Sequence, residues 1–422
     1  MYVADSRSTP AAPAARLTTG RRSAVAPTVL ALGAVSLITD VSSEMVTAVL
    51  PLYLVTGLGL SPLGFGLLDG VYNGFSALVR LVGGHLADRG GRHKAVAVFG
   101  YGLSAVCKPL LLVAGSLPVI GAVLAADRTG KGLRTAPRDA MISLASAPEA
   151  RGRAFGVHRA MDTAGALLGP LAAFLILRQA VDGYDAVFTV SFCVAAVGVL
   201  VLVLFVPART APERAPDAPR ASLKAALALL GEREVRRLAL CALLLGLATV
   251  SDSFVYLLLQ RRLDVPDRWF ALLPLGTAAA FLLLAVPLGR LADRVGRWRV
   301  FLGGHAALLC AYALLLPGWR GAALPYVVLA LHGLFYAATD GVLMAAAAGA
   351  VPAELRSSGL ALIQTGQASA RFVCSIAFGA AWTAWGDRTA LATAAVALAV
   401  CAAGAVLLRP ADASKVDGGG PA

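Results

Sequence analysis

A glycine-rich basic stretch occurs twice in this chain, as GHLADRGGRHK at residues 84–94 and in weaker form as GRLADRVGR at residues 289–297. Both copies lie between long apolar runs, and they are separated by about half of the 422-residue chain. A self-match at a fixed period is the mark of an architecture built from repeats. The repeated unit in this chain is therefore half of the protein.

The composition is that of a membrane protein. Hydrophobic residues make up 58% of the chain and charged residues 14%, and the mean hydropathy is +0.75. A soluble domain of this length is less apolar and more charged. Because a spanning helix needs about 20 mostly apolar residues, we predict twelve spans, at residues 27–56, 63–87, 95–115, 117–145, 153–177, 184–207, 236–260, 268–292, 299–317, 321–348, 357–383 and 388–409.

The basic residues predict an orientation in the membrane. With twelve spans both termini lie on one side, and most Lys and Arg residues outside the spans fall on that side. The other side holds Arg178, Arg261, Arg262, Arg268, Arg320 and Arg388. The positive-inside rule therefore predicts a plasma-membrane protein with cytoplasmic termini. It also accounts for the net charge of +13 without nucleic-acid binding.

This topology divides the chain into five parts. We expect a disordered cytoplasmic tail, a first six-helix bundle, a proline-rich cytoplasmic linker, a second six-helix bundle and a polar cytoplasmic tail. Their bounds are 1–25, 26–207, 208–235, 236–409 and 410–422.

The two GxLADRxGR stretches resemble those of the major facilitator superfamily of secondary transporters, which carry one between their second and third spans. The resemblance covers about residues 26–409. It implies an all-α membrane fold in which two six-helix bundles are related by a pseudo-two-fold axis. It also implies a cytoplasmic gate formed by the aspartates and their neighbours, here Gly84, Asp88, Arg89, Arg92, Arg138, Asp293 and Arg297.

Ionisable residues inside the predicted spans are the main candidates for function, because each costs roughly a few kcal/mol unless it faces a cavity or a partner. They are concentrated in the first half. Asp40 and Glu44 lie one turn apart, and the helical rise places Asp40 roughly 20 Å into its span, near the midplane. The other candidates are Asp127, Arg128, Lys131, Arg134, His158, Arg159 and Asp162.

Superposing the halves by the offset between the two stretches pairs these charges mostly with neutral residues; Asp127, for example, corresponds to His332. The charges of the second half, Asp252, Asp340 and Arg371, fall at other positions. We therefore predict that coupling and charge binding are concentrated in the first half. The second half would supply neutral hydrogen-bonding groups, namely Tyr256, Tyr336, Gln364 and Gln367.

The segment RTGKG at residues 128–132 resembles the RxxxG pattern that proton-coupled members of the superfamily carry on this helix. The resemblance implies that Arg128 sets the proton affinity of a neighbouring carboxylate. A nearby cation favours an ionised carboxylate and burial favours the neutral form, so Asp40 or Glu44 is a candidate for proton exchange. The alternative is that these charges form a fixed ion-pair network.

The segment GALLGP at residues 165–170 resembles the first part of the GxxxGPxxGG pattern of proton-exchanging exporters. Ala172, Ala173 and Phe174 stand where the further glycines belong. A helix-packing seam of small residues explains the segment equally well. The pattern therefore favours export over uptake only slightly.

The sequence thus predicts a proton-coupled secondary active transporter that works by alternating access. The cations of the first half suit an anionic or zwitterionic small molecule, and few aromatic residues are placed to cage a lipophilic cation. We expect a monomer in the lipid bilayer with no cofactor, metal site or enzymatic activity. The alternative is a protein of the same fold that senses a ligand or serves as a membrane scaffold without turnover.

Overall fold

The computed structural model describes residues 25–88, 92–147, 150–180, 183–207, 228–263, 265–318, 321–351 and 356–407. The regular secondary structure of these ranges is helical. Helices suit a bilayer because each satisfies its backbone hydrogen bonds within its own segment. Both predicted tails, apart from Val25, and most of the predicted linker lie outside the described ranges.

The first half of the described chain forms a bundle of long helices, each joined to the next by a short connection. They are α1 (Pro27–Leu52), extended by a π-helical turn at Tyr53–Gly57, α2 (Pro62–Asp88), α3 (His93–Val113), α4 (Leu117–Leu144), α5 (Arg151–Gln179) and α6 (Gly183–Phe205). Proline begins α1 and α2, where its missing N–H leaves no helical bond unmade. We call the end of the bundle at which α1 begins the near end, and the end at which α2 begins the far end.

The second half follows a 3-10 turn at Leu229–Gly231. Its helices are α7 (Arg233–Ala248), α8 (Asp252–Leu263), the short α9 (Asp267–Phe270), α10 (Leu273–Val295), α11 (Arg297–Leu315), α12 (Leu324–Ala350) and α13 (Arg356–Leu407). Within α13, Gly386 has a φ of 82°, which glycine adopts far more readily than other residues. This bend joins two segments that each have the roughly 20 residues a span needs.

Nine helical segments in the described part of the chain are long and apolar enough to cross a membrane. The chain is therefore a multi-pass membrane protein. Neither α2 nor α4 is among the nine, and the two segments of α13 count as one. The figure of twelve spans accordingly stays a prediction.

The two halves repeat the same packing. In the first half α1 packs on α5, α2 on α4, and α3 on α4. In the second half α7 packs on α13, α10 on α12, and α11 on α12. This correspondence is what a repeat of half the chain predicts. In addition, α2 packs along α13 and so connects the halves.

The predicted span at residues 236–260 is interrupted. The structure divides it into α7 and α8, with residues 249–251 between them in a non-helical conformation. The Val250 N–H donates a hydrogen bond to Tyr312 Oη at 2.8 Å, and the Ser251 carbonyl accepts hydrogen bonds from the N–H groups of Phe254 and Val255 in α8. Because these backbone groups are paired inside the protein, the break is tolerated at membrane depth.

Candidate functional site

A cavity of about 390 Å³ lies between the two halves. Residues of α1 and α2 line one side, and residues of α8, α10, α12 and α13 line the other. The volume is within the range of small-molecule sites. The charged residues of the lining are Glu44, Asp252, Asp340 and Arg371, and its tyrosines are Tyr72, Tyr256 and Tyr336.

A hydrogen-bonded network surrounds Asp252 at the start of α8. Tyr336 Oη donates a hydrogen bond to Asp252 Oδ1, and His332 Nε2 lies 3.5 Å from the same oxygen. On the other side of the imidazole ring, His332 Nδ1 lies 3.4 Å from Thr277 Oγ1. Tyr256 donates to that hydroxyl at 3.0 Å. The network orients both predicted tyrosines, Tyr256 and Tyr336, at the cavity wall.

Asp340 and Arg371 complete the charged lining of the second half. Asp340 is exposed to the cavity, and the guanidinium of Arg371 lies 6.0 Å from the ring centroid of Tyr336. In the part of the chain that the structure describes, neither side chain forms a direct ion pair with another residue. Both groups are therefore available to a bound molecule.

The first half contributes Glu44 to the cavity. Lys131 Nζ lies 3.7 Å from Glu44 Oε1, and both side chains are partly exposed. Glycines of α5 pack closely on this part of α1: a Cβ added to Gly169 would lie 2.7 Å from Glu44 Cβ, and one added to Gly165 would lie 2.5 Å from the Leu37 carbonyl oxygen. Close helix packing therefore accounts for the GALLGP segment, and this packing positions Glu44.

Asp127 and Arg128 lie away from the central cavity, among α2, α3 and α4. Arg128 Nη2 is 2.6 Å from Asp127 Oδ2, Lys108 Nζ is 3.7 Å from Asp127 Oδ1, and Ser104 donates to Asp127 Oδ1 at 2.5 Å. The Arg128 guanidinium also stacks 3.7 Å from the Tyr72 ring centroid. Lys108, which is buried, is not among the residues predicted from the sequence. This is the arrangement of a fixed ion-pair network.

A second group of ion pairs lies nearer the near end of the bundle. Arg134 Nη2 is 3.4 Å from Asp40 Oδ1. Arg138 contacts Asp139 at 3.0 Å and Asp162 at 3.6 Å. Asp40, like Asp127, is therefore paired inside the first half, and it does not line the cavity.

The remaining predicted residues are dispersed. Arg159 is 81% exposed and lies 3.7 Å from Asp162. His158 is buried, and neither of its ring nitrogens has a hydrogen-bond partner among the described residues. Gln364 is exposed and Gln367 is half-buried, and neither lines the cavity.

The charges of the cavity are thus distributed differently from the sequence-based prediction. That prediction assigned charge binding to the first half. Among the described residues, however, the second half contributes Asp252, Asp340 and Arg371 to the cavity lining, and the first half contributes the charge of Glu44. Superposition by sequence offset compares equivalent backbone positions, but a cavity is lined by whichever side chains face it. The presence of these three charges inside apolar spans was the available signal.

The structure describes the predicted gate only in part. Asp293 is 70% exposed and pairs with Arg297 at 3.6 Å across the turn between α10 and α11. Arg92 is exposed at the start of α3. Arg138 pairs with Asp139 and Asp162. The burial of Gly84, the side chain of Asp88 and all of Arg89 lie outside what the structure describes.

The two halves meet closely at the far end. Ser375 Oγ donates a hydrogen bond to Asp69 Oδ2 at 2.7 Å, and this bond is buried. Gly379 of α13 lies against α2 so closely that an added Cβ would collide with the Pro62 carbonyl oxygen. These contacts join α2 to α13 at the far end, next to the cavity.

Comparison with known sequences identifies related proteins. The family model of the Major Facilitator Superfamily matches residues 32–375 and 270–421. An uncharacterised MFS-type transporter of Methanocaldococcus jannaschii is 29% identical over 363 residues, which are 83% of this chain and 87% of that protein. An uncharacterised protein of Mycobacterium tuberculosis is 38% identical over 156 residues, 37% of this chain and 38% of that protein.

Solved structures share the fold at low sequence identity. The nucleoside transporter NupG superposes with a TM-score of 0.77 at 14% identity, covering 90% of this chain and 98% of that chain. A bacterial homolog of the human lysosomal transporter Spinster gives a TM-score of 0.74 at 15% identity, covering 90% and 96%. A POT family transporter in complex with 5-aminolevulinic acid gives 0.72 at 14%, covering 91% and 96%.

Proposed function

Because the chain belongs to the Major Facilitator Superfamily, we propose that it is a secondary active transporter that moves a small polar molecule across the membrane by alternating access. The observation that carries this proposal is the charged cavity of about 390 Å³ between two halves of matching packing. In transporters built from repeats, the halves rock about a site between them near the midplane.

In the proposed cycle, the contacts between α2 and α13 would form the gate at the far end. Separating α2 from α13 there would break the Asp69–Ser375 hydrogen bond and open the cavity to that side. The distribution of basic residues supports a plasma-membrane orientation in which the near end and both termini are cytoplasmic. In this orientation the predicted gate residues of the near end, Asp88 and Asp293 among them, would close the opposite side.

We propose protons as the coupling ion and Glu44 as the carboxylate that exchanges them. Of the predicted first-half carboxylates, Glu44 lines the cavity, whereas Asp40 and Asp127 are paired away from it. Lys131 lies 3.7 Å from Glu44, so a proton on the carboxylate competes with this ion pair. Lys131 would thus take the role expected of Arg128, whose charge is matched by Asp127.

The proposed direction is export. It rests on the resemblance of the GALLGP segment alone, which favours export only slightly, because the packing of Gly165 and Gly169 on α1 explains the same glycines without export.

The proposed substrate is charged. The anionic option loses its original support, because Arg128, Arg134 and Arg159 lie outside the cavity lining. A substrate that carries a positive charge, alone or as part of a zwitterion, fits the carboxylates that line the cavity better.

The proposal is tested by untargeted mass spectrometry of cells and medium. Strains lacking the protein, overproducing it, or overproducing Glu44→Gln are compared, with Asp185→Asn, an exposed carboxylate of α6, as the matched control. We expect a compound whose cell and medium contents change reciprocally with the wild-type protein and the control but not with Glu44→Gln.

Two outcomes would contradict the proposal in different ways. Unchanged flux in Glu44→Gln refutes the assignment of coupling to this carboxylate. No moving compound in any strain, with the protein folded in the membrane, argues against transport and favours the sensor or scaffold alternative.

A further inference from the structure

The cavity lining carries more negative than positive charge. Glu44, Asp252 and Asp340 are carboxylates, and Arg371 is the cation among the described lining residues. Lys131, just outside the lining, balances Glu44. Arg371 can balance only one of the two remaining carboxylates. One negative charge therefore lacks a counter-charge from the described residues around the cavity.

Asp340 is the carboxylate most open to the cavity. It lies roughly 24 Å along α12, at a rise of 1.5 Å per residue, and so near mid-depth. Its side chain is exposed and makes no ion pair in the described part of the chain. A carboxylate at this depth is costly unless water or a positive charge faces it. Asp252, in contrast, already accepts a hydrogen bond from Tyr336.

The aromatic residues of the cavity favour the same kind of ligand. Tyr72, Tyr256, Phe281 and Tyr336 line it, and the electron-rich faces of such rings attract cations. Tyr72 already stacks with the Arg128 guanidinium. The sequence predicted few aromatic residues placed to surround a cation. In the structure, four rings that are far apart in the sequence lie at one cavity, because they come from four different helices.

We propose that the cavity recognises a protonated amine or guanidinium group of the substrate, through Asp340 with Asp252 beside it. This inference names the substrate class of the proposed transport function and rests on it for its biological meaning. Binding itself is tested separately from transport.

The test measures thermal unfolding of the purified full-length protein in lipid nanodiscs with defined probes. The cations are putrescine, spermidine, agmatine and tetraethylammonium; the zwitterion is L-alanine, the anion succinate and the neutral compound glucose. A ligand that binds only the folded state raises the unfolding midpoint in a saturable manner. We expect at least one cationic probe, but neither succinate nor glucose, to do so.

Variants then locate the site. Asp340→Asn and, separately, Asp252→Asn should each weaken the apparent affinity for the cationic probe at least tenfold, whereas Asp185→Asn should leave it unchanged. Testing two carboxylates keeps the proposal falsifiable if one variant fails to fold. Stabilisation by L-alanine in addition to a cation supports the proposal, since its ammonium group is the recognised feature.

Several results would overturn the inference. Stabilisation by succinate alone, by none of the probes, or undiminished cation affinity in both variants would each do so. Transport is judged separately by uptake of the bound probe into proteoliposomes. Binding without uptake contradicts the proposed function and leaves the cation site intact, whereas uptake of succinate without amine binding refutes the cation site and leaves transport intact.

Discussion

Asp127 shows how a single buried charge is stabilised in this fold. Lys108 and Ser104 of α3 and the neighbouring Arg128 of α4 all contact its carboxylate. A buried ion pair adds little net stability compared with apolar residues, but removing one partner leaves an uncompensated charge. We therefore expect Asp127 and Arg128 to maintain the packing of α3 on α4.

Loss of the Asp127 carboxylate should lower the stability of the protein more than loss of the Lys108 ammonium group. Asp127→Asn leaves both Lys108 and Arg128 buried without a carboxylate, and we expect it to lower the free energy of unfolding by about 3 to 5 kcal/mol. Lys108→Met leaves the Asp127–Arg128 pair intact and should cost clearly less. Denaturant unfolding in detergent measures both. Equal losses in the two variants would contradict the assigned arrangement.

The α5 helix shows how one element positions a residue of the cavity lining on another. It approaches α1 closely because Gly165 and Gly169 have no side chain, and Glu44 lies at this contact. Small residues spaced by four allow such approach between membrane helices. The position of Glu44 at the cavity therefore depends on glycines that lie outside the cavity lining.

Two alanine substitutions on α5 separate packing from helix propensity. Gly165→Ala places a Cβ 2.5 Å from the Leu37 carbonyl oxygen, whereas nothing lies within 4 Å of a Cβ at Gly156. We expect Gly165→Ala to lower stability by about 1 to 3 kcal/mol. Gly156→Ala should be neutral or stabilising by up to about 1 kcal/mol. Thermal unfolding checks both, and a harmless Gly165→Ala would show that the α1–α5 contact is looser than described.

At the scale of the whole molecule, the contact between α2 and α13 holds the two halves together at the far end. Asp69 and Ser375 share a buried hydrogen bond across it, and Gly379 allows the backbones to approach. In the proposed alternating access, this contact would break and re-form, and its strength would set how often the far end opens.

Widening this contact should open the far end. Gly379→Ala introduces a collision with the Pro62 carbonyl oxygen, while Gly102 of α3 has open space for a Cβ. We expect backbone amides near residues 62–66 and 379–383 to exchange hydrogen for deuterium several-fold faster in Gly379→Ala than in the wild type or Gly102→Ala. Mass spectrometry measures this exchange. Unchanged exchange in these segments would mean that the contact does not control opening.

Composition and the repeated stretch were sufficient to predict an all-helical membrane protein with two matching halves. The length of apolar segments and the repeat of the motif can be recognised along the sequence without knowledge of contacts. A bilayer also allows few spanning structures other than helices. The same reasoning identified Glu44, Tyr256 and Tyr336, because a polar group inside an apolar span must face a cavity or a partner.

The lining of the cavity and the pairing of the charges depend on how the helices rotate and pack. Lys108 of α3 forms an ion pair with Asp127 of α4. The helix break before Asp252 is possible because Tyr312 of α11 accepts a hydrogen bond from the Val250 N–H. The spacing of residues within one span predicts neither contact. Contacts between distant segments arise from tertiary packing, so the second-half charges could be found in the sequence but not assigned to the cavity until the fold placed them there.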